Sequence, residues 1–169
     1  INAFATPGGF VYVTRGLLAL ADNEAELAGV IAHEIGHVVA RHSAQRYSQA
    51  VAANLGVTLL GVLTNTPQIG RLAGLGANLY LSSYSREQEF EADMLGVRYL
   101  SRVGFSPHAM SAFLNKLQVN DALQLRFKGE EGKDPVTSLL ATHPRTAERV
   151  ERAIANAGLA PVINPIIAR

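Results

Sequence analysis

No cysteine occurs among the 169 residues. That excludes a disulfide framework and a thiolate metal site, so any metal must rest on His, Asp or Glu. Charge of one sign is also lacking: 15 basic against 14 acidic residues leave a net charge of +1. With no clustered run of Lys or Arg, the electrostatic footprint of a nucleic-acid binder is missing, and nucleic acid is not expected as a partner. The uncharged stretch AVAANLGVTLLGVL, Ala50 to Leu63, has 14 residues before Thr64-Asn65-Thr66-Pro67, short of the ~20 that span a bilayer. A buried helix or a membrane-leaning lid is expected there, with contact to a membrane surface through residues 50–81. The opening INAFATPGGF has neither a basic leader nor a long apolar core. It reads as the middle of a fold, and the numbered chain as a mature or trimmed fragment.

What is present suits one compact domain, residues 1–169, since a chain of this length can bury one core. Ile1–Ala5 and Phe10–Thr14 flank Pro7-Gly8-Gly9, the signature of a short hairpin. From Asn23 the pattern turns helical: Asn23 and Glu26 form a capping-box signal, and Leu27, Val30, Ile31 and Val38 recur at helical spacing. A helix is expected from about Glu24 to the region of Ala50. The glycines and Pro67 of Val51–Leu81 suggest two short helical pieces with a loop between. Ser85 to Arg102 is a helical pattern with acids first and Gly104 beyond its end. Ser106-Pro107 starts another helix through about Val119. Lys128 to Pro135 is a polar loop, and Thr142-His143-Pro144 opens a last helix ending near Gly158.

Inside the apolar run AGVIAHEIGHVVARH stand His33, Glu34 and His37. Histidines four apart on a helix lie one above the other and present their imidazoles to one point, where they can chelate. HExxH on a helix is a zinc arrangement in which the glutamate serves as general base. Glu34 is offset by about 100° from His33, beside the metal and able to hold its water. At this chain's own frequencies about 0.01 such triplets arise by chance. The competing structural reading is a pair of core histidines capped by neighbouring carbonyls.

A catalytic zinc usually takes three protein ligands. His42 is one residue early for the longer HExxHxxGxxH pattern, with Ala40 and Ser43 where glycine and histidine are required. It is rejected as third ligand in favour of a helix-surface or supporting role behind a ligand. In SREQEFEAD, Glu89 shares a helix face with Ala92, Asp93, Gly96 and Leu100, whereas Glu87 and Glu91 face Met94 and Arg98. The His33 face carries Gly36, His37, Ala40 and Ala44. Two faces of small residues let helix axes approach closely, so Glu89 is expected as third ligand. Asp93, one turn on, is placed to accept the free ring N–H of a ligand histidine. Solvated acids are the plainer reading of this segment, and they suit Glu87 and Glu91.

His143 is expected to stabilise an oxyanion, to fill the open zinc position in a resting form, or only to cap a helix. Arg145 and Arg149 support that last helix or bind a peptide carboxylate. His108 is expected at the surface.

In this order, HEIGHVVARH, SREQEFEAD and THPRTAERV resemble the zinc metallopeptidase family M48, with its HtpX-like, CAAX prenyl endopeptidase-like, Oma-like and BepA-like members. The likeness extends to NAFATPGGFVYVTRGLL and covers most of Asn2 to Val150. It implies an α+β, mainly α, zincin-like fold with a small antiparallel hairpin and an HExxH helix. It also implies zinc on His33, His37 and Glu89, with Glu34 as catalytic base and His143 near the site. The NAF segment looks like part of an edge strand that pairs with an extended polypeptide substrate. The long transmembrane segments of membrane members and the helical-repeat domain of larger periplasmic members have no counterpart here. Lipidated substrates and chaperone activity are therefore not implied. The expected function is a zinc-dependent endopeptidase for unfolded or misfolded polypeptides in envelope protein quality control. The alternatives are a chaperone-like zinc module with a plugged site and a purely structural zinc site. The expected compartment is the periplasm, with the mitochondrial intermembrane space second.

Overall fold

A computed structural model of the chain describes residues 1–6, 8–65, 83–128, 139, 143 and 147–159. It is mainly helical with a two-stranded antiparallel sheet, as the sequence led us to expect. Strands β1 (Ala3–Ala5) and β2 (Val11–Val13) pair Ala3 with Val13 and Ala5 with Val11. The tip of this hairpin turns at Gly8 and Gly9, whose φ angles of +109° and +89° suit a residue without Cβ. A short helix α1 (Arg15–Leu20), capped by the Thr14 hydroxyl, was not expected from the pattern. Its six residues are too few to show a helical period.

Helix α2 (Glu24–Val39) begins where expected, with the Asn23 side chain accepting from the Glu26 amide at 3.0 Å. It does not run on to Ala50. The chain breaks at Arg41, which is left-handed at φ 58°, and restarts as α3 (His42–Leu63). Of the two helical pieces expected over Val51–Leu81, the first is the latter part of the 22-residue α3, which ends at Leu63 ahead of Pro67, and the second lies outside the described residues. The apolar side chains of α3 are exposed, Leu55 at 67% and Val62 at 72%, so the buried-helix reading is corrected too. Pro67 and the remainder of the segment to Leu81 lie outside the described residues.

Helix α4 (Arg86–Arg102) carries the capping box of Ser85 and Gln88 and ends before Gly104 at φ +82°. Helix α5 spans His108–Lys128, longer than expected, and α6 spans Ala147–Leu159. The polar loop beyond Lys128 lies outside the described residues.

Helix α2 is the central element, lying against α4, α5 and β1. One apolar cluster joins Ala3, Leu17, Val30, Phe113, Leu117 and Leu139; a second joins Ala32, Val97, Leu100, Met110 and Leu114. At about 1.5–3 kcal/mol for each large side chain removed from water, these clusters fix α2 against α4 and α5 through Val30 and Ala32, just ahead of its histidines.

Candidate metal centre

The approach of α2 and α4 is set by two glycines. A Cβ at Gly36 would stand 2.8 Å from the Ala92 carbonyl oxygen and 3.0 Å from its Cα. One at Gly96 would stand 3.1 Å from the His33 amide nitrogen and against the Met110 methyl. At Gly36 only hydrogen fits against the Ala92 backbone, and at Gly96 a larger group would have to displace the Met110 side chain; the close crossing carries the α4 carboxylates to the α2 imidazoles.

His33 Nε2 and His37 Nε2 lie 3.0 Å apart. Glu89 reaches both, Oε2 at 3.6 Å from His33 Nε2 and Oε1 at 3.4 Å from His37 Nε2. His143 brings its Nδ1 to 2.9 Å from Glu89 Oε1 and 3.2 Å from His33 Nε2. The four residues are buried, and one ligand atom from each falls within 4.8 Å of the others. Glu34 sits beside them at 1% exposure, its Oε1 3.4 Å from His143 Nε2. His143 is thus within the cluster, 4% exposed, and is not a surface helix cap.

Behind the cluster, Asp93 Oδ1 lies 2.8 Å from His33 Nδ1. Arg149 is buried at 2% exposure and donates from Nε and Nη2 to both Asp93 oxygens at 2.8 Å, while Nη1 pairs with Glu89. His42 is buried, with Nδ1 2.9 Å from His37 Nδ1 and Nε2 3.3 Å from Glu91 Oε2, so it lies behind a ligand and not on the helix surface. The Tyr84 ring stacks on His37 at 3.9 Å, and its hydroxyl shares a hydrogen bond with Ser43. Glu87 and His108 are exposed, and Arg145 lies outside the described residues.

Sequence reasoning gave no role to Tyr84 and gave Glu91 to solvent, where its side chain is 54% exposed while one oxygen also faces His42. Neither has a signature spacing; each arrives through a fold contact across more than 40 positions. The alternatives kept for Arg149 resolve into an ion pair with Asp93 and Glu89.

Burial, reinforced by the neighbouring His33, overrides the Glu89 carboxylate and pushes His37 down to about 3, so its ring is neutral near pH 7. Burial also acts downward on His33, but the hydrogen bond and charge of Asp93, with Glu89 behind them, raise it. For Glu89, burial acts upward and is outweighed by the His143, His37 and His33 rings around it, which hold it well below the usual carboxylate range. Asp93 is lowered in the same sense by Arg149 and His33.

These residues fit a zinc ion. With the Asp93 carboxylate 2.8 Å from His33 Nδ1, a neutral His33 keeps its proton on that side and turns its Nε2 lone pair toward the Nε2 of His37 and a carboxylate. Unshielded lone pairs repel, and a cation between them converts repulsion to coordination. Zn–N bonds of about 2.05 Å in a tetrahedron place two donors about 3.3 Å apart, close to the observed 3.0 to 3.6 Å. Among the described residues, neither oxygen of buried Glu34 has a hydrogen-bond partner. A carboxylate held dry beside a cation site is costly unless it serves a bound group.

Residues 1–157 match Peptidase family M48. The chain is 41% identical over 163 residues to the Beta-barrel assembly-enhancing protease of Yersinia pestis, covering 90% of this chain and 32% of that protein. Against the protein of the same name from Escherichia coli (strain K12) it is 35% identical over 162 residues, 90% of this chain and 31% of the relative. Against Mitochondrial metalloendopeptidase OMA1 of Schizosaccharomyces pombe it is 34% identical over 152 residues, 89% of this chain and 42% of the relative. The chain therefore spans about a third to two fifths of the length of these curated relatives.

Proposed function

The chain belongs to peptidase family M48, and from that premise we propose that it is a zinc endopeptidase for unfolded or misfolded polypeptides in envelope protein quality control. The observation that carries this reading is the convergence of His33, His37 and Glu89 on one point, with Glu34 beside it. His33, His37 and Glu89 would hold the zinc. When bound, zinc supplies Lewis acidity that polarises a scissile carbonyl and acidifies water. Glu34 takes the water proton during attack and delivers it to the leaving amine. Asp93 fixes the His33 ring by accepting its Nδ1 proton. His143 donates from Nε2 toward the developing oxyanion, on the side of the cluster that Glu34 occupies.

The substrate is an extended chain that adds its backbone to an edge of the β1–β2 sheet. Such pairing selects conformation more than sequence, as quality control demands. Among the described residues no helix is long and apolar enough to cross a membrane. The exposed side chains of Val51, Leu55, Leu59 and Val62 support contact of the 50–81 segment with a membrane surface. The relatives named for β-barrel assembly support the periplasm, and those named mitochondrial support the intermembrane space as the alternative. Digestion of casein and of an unfolded protein, with and without a chelator, tests the reading. Chelator-sensitive cleavage is expected, and a zinc-loaded chain that cuts neither substrate removes it.

One observation favours a second reading. His143 Nδ1 stands 3.2 Å from His33 Nε2 and 2.9 Å from Glu89 Oε1, where it can act as a fourth ligand. Four protein ligands close a zinc site, and the chain would then be a chaperone-like binding module with a plugged centre. His143→Ala separates the two: cleavage gained on removing the imidazole shows a plug, and cleavage lost shows a working group.

A further inference from the structure

His33 and His37 are held from behind by different chemistry. The Nδ1 of His33 meets a carboxylate, Asp93, at 2.8 Å. The Nδ1 of His37 meets another imidazole nitrogen, Nδ1 of His42, at 2.9 Å. Two imidazole nitrogens at that distance share one proton, and the neighbour of His42 decides which ring carries it. Nε2 of His42 faces the Glu91 carboxylate at 3.3 Å. An acceptor there requires an N–H on His42 Nε2, so in the neutral ring its Nδ1 is a bare lone pair. The proton between the rings then belongs to His37 Nδ1, and His37 Nε2 is left as a lone pair pointing into the cluster, 3.0 Å from His33 Nε2.

The backbone is bent to make this contact. In a continuous helix, five residues place His42 about 140° around the axis from His37, out of reach. The chain instead breaks at Arg41, at φ 58° and ψ 30°, a left-handed conformation uncommon for a residue with a Cβ. Strain of this kind persists where the surrounding structure requires it, and it gathers at functional sites. After the break His42 is the first residue of α3, at 1% exposure, turned back onto His37. Tyr84 stacks on the His37 ring at 3.9 Å and fixes its plane, leaving the tautomer as the remaining freedom.

We propose that His42 is a positioning residue for the metal centre: backed by Glu91 and placed by the turn at Arg41, it holds His37 in the Nδ1–H tautomer whose Nε2 binds zinc. The inference rests on the zinc reading above, but the tautomer it specifies exists without metal.

The test compares wild type with His42→Leu, which keeps apolar bulk and loses the acceptor, and with His42→Asn, whose Oδ1 restores an acceptor near the position of Nδ1. Zinc dissociation constants come from competition with a chelating dye, and chemical denaturation of the zinc-free proteins separates packing from coordination. His42→Leu is expected to bind zinc about 10–100-fold more weakly, with His42→Asn recovering most of the loss. Imidazole nitrogen NMR of the zinc-free wild type is expected to show His37 protonated on Nδ1. Equal zinc affinity in wild type and His42→Leu overturns the proposal, as does a wild-type His37 protonated on Nε2. If His42→Leu fails to fold, His42→Asn and the wild-type spectrum still decide it. A wild type that binds zinc and cleaves nothing sinks the peptidase reading while leaving this one to its own measurements. A wild type that binds no zinc leaves the spectrum to decide.

Discussion

Arg149 grips Asp93 with two parallel hydrogen bonds of 2.8 Å, Nε to Oδ2 and Nη2 to Oδ1, with both side chains at 2% exposure or less. Its remaining nitrogen pairs with Glu89, so one guanidinium orients a candidate ligand and the group behind His33. Removing one partner of a buried pair strands the other charge, at about 3–5 kcal/mol. Arg149→Met is therefore expected to lower stability by roughly that amount in urea denaturation. Arg149→Lys keeps the charge but lacks the planar fork, and it is expected to fall between the two. A Met variant as stable as wild type removes Arg149 from this account.

Glu34 stands beside the proposed ligands without being one, and among the described residues its oxygens have no hydrogen-bond partner. Glu34→Gln keeps the shape and loses the basic oxygen. General base catalysis contributes about 10²–10⁴-fold. The variant is expected to bind zinc and unfold like wild type while losing at least about a hundredfold in peptide cleavage. Undiminished turnover assigns the base elsewhere.

The helix crossing gives a graded prediction. A methyl at Gly36 collides with the Ala92 backbone, which cannot give way, whereas the tightest neighbour of a methyl at Gly96 is the Met110 side-chain end, which can. Overpacking of a rigid contact costs about 1–3 kcal/mol. Gly36→Ala is expected to destabilise more than Gly96→Ala and to weaken zinc binding, because it pushes Glu89 away from His37. The order of the two in thermal melts and in zinc titration checks this, and the reverse order counts against it.

The parts of the centre legible in the sequence were those set by local periodicity. Four-residue spacing joined His33 to His37, and the small residues on the faces of α2 and α4 singled out Glu89 over Glu87 and Glu91. What was not legible depends on where the chain turns. Arg41 has no residue-level preference for a left-handed conformation, and the helical pattern continues on both sides of it, so the break that redirects His42 is invisible in the residue pattern. Once His42 turns inward, Glu91 acquires a partner that its helix position alone does not suggest. Tyr84 precedes the Ser85 cap, where nothing in the residue order points toward His37.

Away from the centre, Lys116 on α5 reaches Asp22 Oδ2 at 2.5 Å and Glu26 Oε2 at 2.6 Å, and buried Glu26 also accepts from the Asp22 amide at 3.0 Å. Partial burial lowers the Lys116 pKa, but the two carboxylates outweigh it and raise the group above its ordinary value. A raised lysine contributes stability that is fully present below its unfolded pKa, about 10.4, and lost as pH climbs through the higher folded value. Lys116→Met is expected to cost about 1 kcal/mol at pH 7, a modest figure because Lys116 is partly open to solvent. The gap from wild type should narrow at pH values above about 10.4. Urea denaturation at pH 7, 9 and 11 reads this, and a gap that stays constant across the three assigns the effect to packing.

Metal removal ties the centre to the stability of the whole chain. Without a cation, the Nε2 atoms of His33 and His37 face each other at 3.0 Å with a carboxylate alongside, and burial makes protonation of His37 unfavourable. Zinc is therefore expected to bind the folded form selectively, and at a hundredfold excess over its dissociation constant to add about 2.7 kcal/mol. For a chain of this size that raises Tm by roughly 5–11 °C, at about 2–4 °C per kcal/mol. Chelation should reverse the rise, and Glu89→Ala should show little of it, since its two imidazoles lack the third donor. The Glu89 variant is the sharper arm: zinc that still raises its Tm as in wild type is held by a different third ligand, and the choice of Glu89 by helix face fails.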